Sequence, residues 1–113
     1  MAINWATIET NAETAVKSVL GNAWTTVSAG ATGQIQALIS VGQSIEAGIS
    51  AHPPTISQSD SQALILSSQR ALDGVLQTYE AIGIVVAEQA AEAAINVVVS
   101  ALKTAYPVVG MLI

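Results

Sequence analysis

Side chains that ionise, attack or coordinate are sparse in this chain. Cysteine is absent, and the single histidine, His52, stands in the stretch AHPPTISQSDSQ at 51–62. A lone histidine has no second ligand and no acid–base partner. His52 therefore reads as a solvent-facing or helix-capping residue, placed where a partial positive charge favours a helix C-terminus. Glu88 and Glu92, like Glu9 and Glu13, are four residues apart, which puts each pair on one face of a helix. Two such carboxylates can touch a cation, but the Glu-x-x-His pattern of bundle metal sites is missing. The first pair reads as a solvated strip, and the second as negative charge near a helix N-terminus. No glycine-rich phosphate loop follows a strand, and no Ser/His/Asp set is apparent. The expectation is a protein that is not an enzyme and holds no metal or cofactor.

Composition narrows the partners. Half the residues are apolar and a tenth are charged, with phenylalanine absent and alanine and aliphatic residues making up the apolar mass. Small side chains suit close helix-on-helix packing. Eight acidic residues face three basic ones, Lys17, Arg70 and Lys103, so neither a nucleic-acid footprint nor attraction to anionic lipid is expected. The opening MAINWATIE lacks the basic and continuous apolar regions of a Sec-type signal peptide. Localisation stays open, between cytoplasmic synthesis with incorporation into a particle and export by another route.

The elements that must position these residues are helices. Apolar or small residues recur in steps of three and four from Ala12 through Val16, Val27, Ile35, Leu38 and Ile45 to Ile49, and again from Leu64 through Val75, Tyr79, Ile82, Val86 and Val97 to Ala101. That spacing marks one face of a helix in each half. Asn4 is a good N-cap, with Ile3 and Ile8 placed for a hydrophobic staple. Ser59 and Gln62 have capping-box spacing, Ser57 and Asp60 compete to start the second helix, and Pro107 stops it near Tyr106. The chain thus reads as one all-α domain, 1–113. Its two long helices, about 4–50 and about 60–106, form an antiparallel hairpin around a loop at 51–59. Gly30 and Gly33 each cost about 1 kcal/mol relative to alanine, so a kink or break there is the alternative to a continuous first helix.

A hairpin of this size, rich in small side chains, resembles in outline the WXG100 type of secreted helical hairpin. The turn here reads AHPPTIS in place of Trp-x-Gly, and the tryptophans stand in WAT and WTT. No residue roles are carried over.

A hairpin leaves one apolar row uncovered. Ile84, Ala91, Ile95, Val98 and Leu102 form a second stripe on the last helix, and an apolar tail at 107–113 adds Val108, Val109, Met111, Leu112 and Ile113. Exposing a whole aliphatic row costs several kilocalories at about 25 cal/mol per Å². These residues are the expected oligomer interface, assembling hairpins into an oligomeric bundle, and Trp5 is the candidate partner surface. The favoured function is a self-assembling helical subunit of a larger particle or apparatus, such as a virion component or secretion-associated assembly. The alternative is a membrane-active or pore-forming protein that inserts its C-terminal helix and tail, against which Lys103 counts.

Overall fold

The computed structural model describes residues 3–51, 53–80 and 82–106, with the side chain of Gln58 left aside. The all-α expectation holds: every regular element among the described residues is helical. The helices are α1 (Trp5–Leu20), α2 (Trp24–Ser50), α3 (Gln58–Gln77) and α4 (Ile84–Ala105), with a short 3-10 turn, Gly21–Ala23, between the first two.

Each expected rod is two helices, and neither break lies at Gly30 or Gly33. The first is at Gly21, whose φ of 56° lies in the left-handed region that favours glycine. Its N–H donates to the Lys17 carbonyl, ending α1 in the manner of a glycine cap. Gly30 and Gly33 both lie inside α2. Gly30 has a packing role, because a Cβ there would stand 3.0 Å from the Tyr79 hydroxyl and 3.3 Å from Val75, whereas Gly33 faces open space.

The second break spans 78–83. Thr78 turns its hydroxyl onto the Val75 carbonyl at 2.6 Å, a local bond that competes with helix propagation. Ile82 N–H then closes a turn on the Tyr79 carbonyl at 3.0 Å, and extended Gly83 starts α4. Between α2 and α3, Pro53 and Pro54 lie in the corner foreseen, and Thr55 N–H bonds the Gly48 carbonyl at 2.9 Å. Ser57 is the N-cap in fact used, its oxygen accepting from Asp60 N–H at 3.1 Å. Asn4 caps α1 as expected, through Thr7 N–H.

Contacts fix the topology. The Trp5 ring lies against Gly42, Gly30 against Val75 and Tyr79, and Gly48 against Ile56. The first two pairs join the start of one helix to the far end of the next, and the third joins the end of α2 to the residues leading into α3. Gln62 and Ile65 near the start of α3 share a groove with Val99 and Lys103 near the end of α4, so the helices run up, down, up, down. The closest-packed pairs are α1 with α4 and α2 with α3. The result is a four-helix bundle 46 Å long, which accommodates the roughly 40 Å of a 27-residue helix such as α2.

Folding back twice changes what the apolar rows do. Ala91, Ile95, Val98 and Leu102 are buried inside the bundle, packed in one core with Val16, Val27, Ile35, Leu72 and Leu76. Burying each large aliphatic contributes about 1.5–3 kcal/mol. Four of the residues assigned to an oligomer interface are therefore covered by the chain itself. Ile84 is the described residue of that row left outside, at 64% exposure. Val108, Val109, Met111, Leu112 and Ile113 lie outside the described residues.

Candidate functional site

The densest polar arrangement is built around Glu46, which stands alone in sequence between Lys17 and Asp60 as a charged residue. It sits in the penultimate turn of α2, at the bundle end where α1 begins and α4 finishes. One carboxylate oxygen, Oε1, accepts from Trp5 Nε1–H at 2.8 Å. The other, Oε2, accepts from Ile3 N–H at 3.1 Å and from the Tyr106 hydroxyl at 2.9 Å. One side chain thus joins the first turn of α1, the body of α2 and the C-cap of α4.

Packing explains how this geometry arises. Gly42, one turn before Glu46, leaves room for the Trp5 indole; a Cβ there would stand 2.5 Å from the ring and 3.2 Å from Val98. The ring slides over that bare backbone and brings its N–H to the carboxylate. Trp5 is only 9% exposed, which corrects its assignment as a partner surface. An indole this far inside needs an acceptor for its N–H, and Glu46 supplies it.

The electrostatics follow from the donors. Partial burial alone would raise the Glu46 carboxyl, but the hydrogen bonds from Trp5, Tyr106 and Ile3 outweigh it and hold the group below its ordinary value of 4.5. Burial, followed by the bond to Glu46 and its negative charge, raises the Tyr106 phenol above 10.0. Chemically, this carboxylate is a weak base with both oxygens occupied, suited to holding elements together rather than moving protons.

The other candidates remain separate. Glu88 and Glu92 lie exposed on α4, and among the described residues no group of three or more acidic, histidine or cysteine side chains is placed to hold a metal ion. His52 lies outside the described residues. Exposed aliphatics collect elsewhere: Ile84 and Val85 at 64% and Val86 at 37%, all in the first turn of α4, with Leu64 and Leu66 on α3. A groove between α1 and α4 is lined by Ile3, Ile8, Val97 and Ala101, and another between α3 and α4 by Ile65, Leu66, Ile95 and Lys103.

Comparison with protein-family models, curated proteins and solved structures finds no match to this chain. The geometry is therefore the whole basis for a functional reading.

Sequence reasoning missed Glu46, Gly42 and Tyr106. A signal for Glu46 was available: a single charge in a long neutral stretch, placed at a helix position that turns toward the core face. Nothing in the sequence pairs it with Trp5 and Tyr106, because its partners lie 41 and 60 residues away.

Proposed function

We propose that this chain is a non-enzymatic helical subunit that assembles with further copies of itself into a larger particle or apparatus. The observation that carries the reading is the run Ile84, Val85 and Val86, three aliphatic side chains exposed together at one end of a charge-poor bundle. Isolated exposed aliphatics need no explanation, but a contiguous group suggests contact with something apolar. The proposed interface keeps Ile84 and adds Val85 and Val86; the apolar residues of 107–113, which follow the opposite end of α4, are retained as a second proposed contact. Sedimentation over a concentration series tests it. Replacing Ile84 and Val85 with serine should shift the protein toward monomer while helicity stays unchanged. Equal sedimentation of variant and parent would remove this surface from the assembly.

A second reading rests on a different observation. α4 is 22 residues long and its most apolar stretch reaches a mean hydropathy of 1.4, so by length and composition it is able to cross a membrane. On that reading the bundle opens and α4 enters a bilayer. The buried Ala91, Ile95, Val98 and Leu102 would then exchange helix contacts for lipid. Flotation with zwitterionic vesicles separates the two: an assembling soluble subunit stays at the bottom of the gradient, and a membrane-active one rises.

A further inference from the structure

We infer that Glu46 is a charge-dependent latch, which holds shut the bundle end where α1 begins and α4 finishes and releases both together when it is neutralised. The inference is independent of assembly or membrane insertion. It rests on connectivity: three hydrogen bonds of 2.8–3.1 Å converge on one carboxylate, one from the α1 ring, one from the backbone preceding α1, and one from the α4 C-cap.

All three bonds have the carboxylate as acceptor. Trp5 Nε1–H and Ile3 N–H are donors only, so neither has an alternative role. A proton taken from solvent onto Oε2 would leave two changes. Tyr106 would have to turn from donor to acceptor, losing its own proton's partner. The remaining bonds would lose their charge assistance, which makes such bonds roughly twice as strong as neutral ones. What lies beneath responds to that loss. The Trp5 ring covers Gly42, which has no side chain to hold the space, and touches the neighbourhood of Val98 on α4. Freed from Glu46, the ring has only apolar contact to keep it over that gap.

Other ionisable groups do not substitute for this carboxylate. Glu46 is the sole charged residue of α2. Tyr106 faces it from the C-cap of α4. Glu9 on α1, Asp60 on α3 and Lys103 on α4 are the ionisable groups on the helices packed around that end, and none is among its hydrogen-bond partners. His52 lies outside the described residues.

The test follows the two tryptophan indole protons by NMR in uniformly labelled protein, with Trp24→Phe assigning them. In the folded protein, the Trp5 indole and the Ile3 amide should shift together on acidification, with one midpoint below 4.5, while far-ultraviolet circular dichroism stays helical. The Tyr106 ring signals should move at the same midpoint. Exchange of the Trp5 indole proton with water, relative to free indole at the same pH, should rise roughly tenfold, the factor for losing about 1.4 kcal/mol. In Glu46→Gln, where an amide N–H2 would face at least one donor, the Trp5 indole should stand at neutral pH where the parent stands in acid, with no transition. Should that variant fail to fold, Tyr106→Phe gives the same answer differently: removing one donor should move the midpoint upward toward 4.5. Three results would overturn the latch: signals that do not move while the helices persist, Trp5 and Tyr106 moving at separate pH values, or a transition coinciding with loss of all helicity.

Discussion

The two ends of the bundle are held by different means. At one end, Ile3, Trp5, Glu46 and Tyr106 bring together residues up to 60 positions apart by side-chain hydrogen bonds. At the other, the turns at Gly21–Ala23 and 78–83 hold their helices through bonds between residues at most four apart, and Ile84, Val85 and Val86 stand exposed. Local turns need no long-range partner because covalent continuity keeps the helices adjacent. At the first end the corner after Ser50 joins α2 to α3, but α1 and α4 have no such continuity there, and a specific polar contact joins them to α2. Order at the first end should therefore depend on particular side chains, and order at the second on backbone conformation.

The sharpest way to break that comparison is Trp5→Ala. It removes a nearly buried ring and leaves Glu46 without one donor, and the expected loss is about 3–5 kcal/mol, as for other aromatic truncations in cores. Chemical denaturation measures it; a loss under 1 kcal/mol would mean the ring contributes little to that end. Gly42→Ala should come next, at about 1–3 kcal/mol of overpacking, because the new methyl would meet the Trp5 ring at 2.5 Å. The same denaturation curve, with Trp5 fluorescence as a second probe, should report a displaced indole.

Acidity probes the latched end. The Glu46 carboxyl lies below its unfolded value, so its stabilisation is complete above about pH 4.5 and is lost as pH falls through the lower folded value. The Tyr106 phenol lies above its unfolded value, so its share is complete below pH 10 and is lost as pH rises through the higher folded value. Melting temperatures across pH for the parent and Tyr106→Phe should differ between those limits and converge beyond them. The gap should correspond to about 0.5–1.5 kcal/mol, toward the lower figure because the pair is half-exposed. Constant separation at every pH would show that the hydroxyl acts only by packing.

The smallest expected change is a gain. Gly33 is interior to α2 and a Cβ there would meet nothing within 4 Å, so Gly33→Ala should stabilise by about 0.4–1 kcal/mol through the unfolded chain and helix propensity. Destabilisation would reveal that α2 needs its flexibility at that point.

These residues also show what the sequence made legible. Helix-period spacing correctly placed Val16, Ile35, Leu38 and Val98 in helices because packing of apolar faces dominates those segments. The same spacing concealed both reversals. Val19, Ala23 and Val27 keep steps of four through the turn at Gly21, and Tyr79, Ile82 and Val86 keep steps of three and four through the other. Periodicity records which residues face apolar surroundings, and a chain that doubles back can preserve it. Gly21 carried the missing information in its φ, whereas Gly30 and Gly33, more conspicuous as a pair, serve packing and open surface. The site was less legible still, since a hydrogen bond between Glu46 and Tyr106 leaves no mark on local spacing.

Glu46 Oε2 has a topological consequence as well. Because Ile3 N–H and the Tyr106 hydroxyl share that single atom, residues 3 and 106, the outermost described positions, are held near each other at one end of the bundle. A short linker could join those positions and let the chain be reopened at 21–23 or 79–83, giving a circular permutant with the same four helices in a new order. Two fusion partners, one at each side, would for the same reason be held close together by the bundle.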